Sequence, residues 1–170
     1  MVREIDFFDS TYDVFWKRIS NKYPVMITRD SQYLNWRFFQ SPHRRYYVFE
    51  VRKNDRIMGF SAIRTVSIEG IFSGTIVDFL VEKSESGETA GKALIRKSVK
   101  CLIDKGIYLI GSLLLPHTHE YAILKNCGFI PCPTRVAPRR FPVIVRTHIN
   151  TPLVKNISNW YLTMADYDVI

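Results

Sequence analysis

Four groups of residues have the types and spacing to do chemistry. Gly74 to Ile95, GTIVDFLVEKSESGETAGKALI, runs from an apolar strand through a short polar loop into a helix. A helix start leaves backbone N–H groups without partners and carries partial positive charge, so this turn suits an anion such as a phosphate. An ordinary βα turn has the same outline. Within the stretch Asp78 and Glu82 stand four apart, which on a regular strand puts both on one face. Burial of Asp78 in an apolar strand needs a partner and raises its pKa, so a functional acid and a structural acid bonded to Arg37 or Arg64 are equally open. His117 and His119 follow an apolar run with H-x-H spacing, a hint of metal that lacks a third ligand at a fixed offset, and no metal is expected. Cys101, Cys127 and Cys132 form no C-x-x-C pair and read as reduced thiols. Cys101 fills a helix face, and no base is tied to Cys127 by a motif.

The elements that must position these groups follow from periodicity. Asp9 and Ser10 can cap a helix whose buried face is Tyr12, Phe15, Trp16 and Ile19, ending near Asn21. After an extended piece, Pro24 to Thr28, Asp30 caps a second helix through Tyr33, Leu34, Trp36, Arg37 and Phe38, which Ser41-Pro42 breaks. YYVFEVR, a turn at Lys53 to Arg56 and IMGFSAIRTVSI read as a β-hairpin, and a turn near Glu69-Gly70 leads to a third strand, Thr75 to Val81. Glu88 to Asp104 carries a helical stripe capped by Gly106. Ile107 to Leu115 reads as a strand buried on both faces, and Glu120 to Asn126 as a short helix stopped at Gly128. Pro131 to Pro142 reads as a loop or interrupted edge strand, Pro142 to Ile149 as a strand, and Trp160 to Met164 as the last strand.

The 170 residues fit one domain, or one half of a longer tandem protein, and can bury a core of their own. No apolar run reaches the roughly 18 residues that span a bilayer, and MVREIDFFDS lacks a signal-peptide core, so a cytoplasmic protein without a membrane partner is expected. The net charge of +8 attracts anions without naming them. Aromatic residues alternate with aliphatic ones in core patterns and do not form stacking platforms, so nucleic acid ranks last among partners.

The order of elements resembles that of the GNAT acetyltransferase superfamily over nearly the whole chain. GFSAIR, TIVDFLV followed by SGETAGKALI, IYLIGSLLL and YAILKNCGF carry the resemblance. YLNWRF and WYLTMADYDV look more narrowly like the second half of two-domain GNAT-like proteins. The resemblance implies an α/β (α+β) fold with a mixed, mostly antiparallel central sheet flanked by helices. It implies acetyl-CoA or another acyl-CoA as co-substrate, lying across the splayed ends of two central parallel strands.

In that family the pyrophosphate is held by a Gln/Arg-x-x-Gly-x-Gly/Ala loop, which maps onto Ser86-Gly87-Glu88-Thr89-Ala90-Gly91. Gly91 matches the last glycine, Ser86 stands in place of Gln or Arg, and Thr89 in place of the middle glycine. Docking would use the N–H of Val81 and those from Ser86 to Lys92. Leu124 stands where many members carry the tyrosine that protonates the leaving thiolate, and Tyr121, one turn earlier, is the substitute. Asp78 or Glu82 would take the proton from a small amine or amino-sugar acceptor. The resemblance therefore implies an acyl-CoA-dependent N-acyltransferase. Its alternatives are a catalytically degenerate domain with a structural or substrate-binding role, partnered by another GNAT-like domain, and FemAB-like aminoacyl transfer.

Overall fold

In the computed structural model, which describes residues 1–68, 70–133, 143, 145–148 and 150–167, the expected turn at Lys53 to Arg56 forms because Asn54 and Asp55 both take left-handed φ angles of 49° and 61°. Short polar side chains tolerate that region, and two such residues in succession match the twist of a hairpin. The turn joins the second and third of five strands that lie in sequence order: β1 (Val2–Ile5), β2 (Tyr47–Lys53), β3 (Arg56–Ile68), β4 (Ile71–Val81) and β5 (Ile110–Ser112). The first four are antiparallel to their neighbours and β5 is parallel to β4, so the sheet is mixed and mostly antiparallel.

Helices cover both faces. α1 (Thr11–Ile19) and α2 (Ser31–Phe38) bury Tyr12, Phe15, Leu34 and Phe38 against Val48, Phe60, Ala62, Val77 and Leu80. α3 (Glu85–Ile103) and α4 (His119–Asn126) bury Leu94, Ile95, Leu102, Ile123 and Leu124 against Phe49, Ile63, Ile76 and Phe79. Each helix start is held by a side chain: Asp9 Oδ1 accepts from Thr11 N at 2.9 Å, Asp30 from Tyr33 N, Ser84 Oγ from Gly87 N and Thr118 Oγ1 from Tyr121 N. The Ser84 cap starts α3 three residues before the expected Glu88.

Several expectations are corrected. β1 was not separated from its surroundings because an edge strand of four residues with two polar members, Arg3 and Glu4, shows too little alternation. The strand over Ile107 to Leu115 shrinks to Ile110–Ser112, and Tyr108 is 88% exposed, because β5 has a pairing partner only along Gly74 to Ile76. Trp160 to Met164 contributes one parallel bridge, Val25 to Trp160, and then a 3-10 turn at Met164–Asp166 capped by Thr163. The strand over Pro142 to Ile149 lies partly outside the described residues, and Val143 and Val145 to His148 carry no strand. Pro131 to Pro133 are irregular, and the rest of that proline-rich stretch lies outside the described residues. Among the described residues no helix is long and apolar enough to cross a membrane.

Candidate functional site where β4 and β5 part

Ala62 pairs with Asp78 and Ile63 with Ile76, which leaves Val77 as an extra residue, a β-bulge that bends β4. The parallel ladder to β5 ends at the same place, with Ile76 opposite Ser112 and Ser112 Oγ donating to Ile76 O at 3.2 Å. Beyond the bulge the two strands part. In an antiparallel ladder alternate residues point their backbone groups to opposite neighbours, so Phe79 and Val81 direct theirs away from β3 and into the gap.

The protein's own side chains meet all four of those groups. Phe79 N donates to Asp78 Oδ1 at 3.0 Å, and Phe79 O accepts from the hydroxyl of Tyr161. Val81 N donates to Glu120 Oε1 at a long 3.4 Å, and Val81 O accepts from Lys22 Nζ at 3.2 Å. Glu120, on the first turn of α4, is fully buried and also accepts from Lys22 Nζ at 2.6 Å and Tyr23 Oη at 2.8 Å. Tyr161 stacks on Tyr23 with centroids 4.9 Å apart. Burial, with Glu120 adding, raises both tyrosine pKa values, so both stay protonated and donate. Burial lowers the Lys22 pKa, and Glu120 opposes that shift.

Asp78 belongs to a second buried network. Arg29, with no exposed surface, donates through Nε to Asp78 Oδ2 at 2.9 Å, through Nη1 to Ile27 O at 2.9 Å, and through Nη2 to Asp166 Oδ2 at 2.9 Å and Thr163 Oγ1 at 3.1 Å. The partner of Asp78 is therefore Arg29. Arg37 instead holds Ala165 O and Tyr46 Oη, and Arg64 lies over the Tyr46 ring. Burial pushes the Asp78 pKa up and Asp166 adds to that, while Arg29 opposes. Burial also works against the charge on Arg29, but Asp78 and Asp166 outweigh it and hold its pKa above the usual value. The network ties the bulge of β4 to the 3-10 turn at Met164–Asp166.

The other expected site residues lie at the end of β4 and on α3 and α4. Glu82 is spaced about 13 Å along the strand from Asp78. It pairs with Arg18 of α1 at 3.2 Å and with Arg56 at 2.8 Å. Tyr121 is half-buried on α4. Ser86 Oγ accepts from Lys53 Nζ at 2.9 Å, Thr89 Oγ1 donates back to Glu85 O, Lys92 pairs with Glu88 at 2.7 Å, and Ala90 is buried in the core. The two loop glycines have packing reasons. A Cβ at Gly87 would lie 1.9 Å from Glu82 O, and one at Gly91 would meet Ile123 Cδ1 at 2.9 Å and Phe79 Cζ at 3.2 Å. Of the histidines, His117 Nε2 is bonded to Trp160 O, whereas His119 Nε2 is buried without a hydrogen bond, and burial lowers its pKa.

Lys22, Tyr23, Arg29, Glu120 and Tyr161 were not singled out from the sequence. Glu120 reads as a helix start and Tyr161 as part of a strand. The one available signal was composition: an arginine and a lysine beside short apolar runs, whose burial only the fold reveals.

An open cleft of about 580 Å³ runs along α2, with Phe7, Tyr33 and Trp36 among its walls.

No family model and no curated protein matches the chain. Solved structures do. A predicted acetyltransferase of Clostridium acetobutylicum, solved with acetyl-CoA, is 16% identical, with a TM-score of 0.57 over 79% of this chain and 92% of that one. A Trypanosoma brucei acetyltransferase is 18% identical, with a TM-score of 0.53 over 85% and 99%. An aminoglycoside acetyltransferase from an uncultured soil metagenomic sample, in complex with trehalose, is 14% identical, with a TM-score of 0.52 over 89% and 96%. At such identities the likeness speaks for architecture, and with the bulged β4 parting from a parallel β5 it shows that this chain has a GNAT-like fold.

Proposed function

We propose that this chain is a GNAT-like domain that does not transfer acyl groups and has a binding or structural role, partnered by another GNAT-like domain in a longer protein. One observation carries this reading. The strand edge across which an acyl-CoA would lie has its four backbone groups on Phe79 and Val81 taken by Asp78, Tyr161, Glu120 and Lys22. A pantetheine arm would have to displace the fully buried Tyr161 hydroxyl and the Lys22–Glu120 pair from their strand-edge partners, and each buried polar group left unsatisfied costs about 1–3 kcal/mol. The departures at Ser86, Thr89 and Leu124 and the acidic Glu85 and Glu88 at the start of α3 point the same way.

A second reading is favoured by the retained bulge and parting strands: an acyl-CoA-dependent N-acyltransferase acting on a small amine or amino sugar. The acetyl-CoA and aminoglycoside acetyltransferase neighbours support it in outline. Acyl-CoA would then use the N–H of Val81 and those of Ser86 to Lys92, Glu82 would serve as base and Tyr121 as acid. Asp78 fits the base role poorly, since Arg29 and the Phe79 N–H occupy both of its oxygens.

Calorimetric titration with acetyl-CoA to about 1 mM, with the Phe79 and Val81 amide signals followed by NMR, separates the two. The expected result is no saturable heat and unmoved amides. Saturable binding that shifts both amides would overturn the first reading in favour of the second.

A further inference from the structure

We propose that the open cleft along α2 binds a neutral oligosaccharide. This names a ligand for the binding role put forward above. It rests on groups that play no part in closing the gap between β4 and β5.

The aromatic residues next to the cleft in sequence are interior: Phe8, Tyr12, Phe15 and Phe38 are fully or almost fully buried. Four aromatic side chains are exposed among the described residues, Phe7, Trp36, Phe72 and Tyr108, and two of them, Phe7 at 62% and Trp36 at 59%, line the same cleft. α2 turns Leu34 and Phe38 into the core and sends Trp36 outward between them, with the Tyr33 ring 5.8 Å away and inclined at 46°. The platform is rigid, because the buried Asn35 accepts from Phe8 N at 2.9 Å and donates to Phe8 O at 2.8 Å, locking the segment that carries Phe7 to the helix that carries Trp36. A platform held in place before binding loses little entropy when a ligand arrives.

The polar groups of the cleft are as telling as the rings. The chain has a net charge of +8, yet among the described residues no lysine, arginine or histidine lines the cleft, and Asp30 is the one carboxylate. Coenzymes, nucleotides and nucleic acids, which bring phosphate, find no cation there. Gln32 and Gln40 each offer an amide donor and acceptor, and Asp30 keeps Oδ2 beyond the Oδ1 that caps α2. A pyranose has the matching construction, with apolar C–H faces that lie on the negative faces of aromatic rings and a rim of hydroxyls that pair with amides and carboxylates. The volume of about 580 Å³ falls in the roughly 300–1,000 Å³ range of small-ligand clefts.

The test titrates the folded protein with cellotetraose, maltotetraose and chitotetraose to about 10 mM while following the Trp36 indole N–H by NMR. At least one sugar is expected to shift that signal saturably. Gln32→Ala is expected to weaken binding at least about tenfold, and Trp36→Ala to abolish the calorimetric heat, both with an unchanged thermal midpoint because both side chains are exposed. The proposal is overturned if none of the three sugars moves the indole signal, if Trp36→Ala retains the wild-type affinity, or if a proline-rich decapeptide shifts the signal and no sugar does. Because this readout is at Trp36 and that for acetyl-CoA is at Phe79 and Val81, failure of one leaves the other standing.

Discussion

The gap between β4 and β5 and the cleft along α2 are opposites in how they treat polar and apolar groups. In the gap, four strand-edge groups meet four side chains of the same protein, and Arg29, Glu120 and Tyr161 have no exposed surface. None of those four strand-edge groups gains a partner by binding a ligand. In the cleft, Phe7 and Trp36 keep large apolar faces in water, and covering them is worth roughly 25 cal/mol per Å². The stretch that carries the resemblance in sequence is therefore one whose strand-edge groups are already paired within the protein.

The contrast is tested most severely by Arg29→Ala. Removing the guanidinium leaves Asp78 and Asp166 buried and facing each other without their shared cation, a loss of about 3–5 kcal/mol for a broken buried ion pair. Trp36→Ala, on the open side, is expected to change stability by less than about 0.5 kcal/mol. Urea denaturation of both variants measures the difference. Equal losses would mean that Trp36 is a core residue and that the two regions are not distinct.

A smaller effect is expected of Tyr161→Phe. The ring keeps its stacking on Tyr23, and the one change is that Phe79 O loses its donor in a buried place. Leaving a buried carbonyl unsatisfied costs about 1–3 kcal/mol. A thermal midpoint equal to wild type would show that water reaches the strand edge and that the gap is open.

The same contrast explains what could be read from the sequence. Features set by neighbours along the chain were legible: the Asp30 cap, the Asn54-Asp55 turn, the α3 stripe and its end at Gly106, where φ is +78°. Features that depend on remote partners were not. Arg29 and Asp78 are 49 residues apart, Lys22 and Glu120 are 98 apart, and Tyr161 lies 82 residues from Phe79. Asp78 was recognisable as an acid that needs a partner, but two wrong arginines stood nearer in the sequence than the right one. Gly87 and Gly91 illustrate a subtler limit, since a glycine that admits a phosphate and one that admits a carbonyl oxygen or an isoleucine look alike in one sequence.

That ambiguity leads to the smallest expected effect, the double variant Ser86→Arg, Thr89→Gly, which restores the family's loop letters. Thr89 is exposed and Ser86 half-buried, so the fold should tolerate the change, with the glycine costing under about 1 kcal/mol of helix stability. If the loop letters were what the chain lacks, acetyl-CoA affinity would appear. The geometry says otherwise. Gly87 N is already held by Ser84 Oγ and Glu88 N by Ser84 O, and Glu85 and Glu88 remain beside any incoming phosphate. The Phe79 and Val81 edge stays occupied whatever stands at positions 86 and 89. Titration of the double variant is therefore expected to match wild type, with no saturable heat from acetyl-CoA. Binding by the variant alone would place the block in the loop, and the closed strand edge would have to open at little cost.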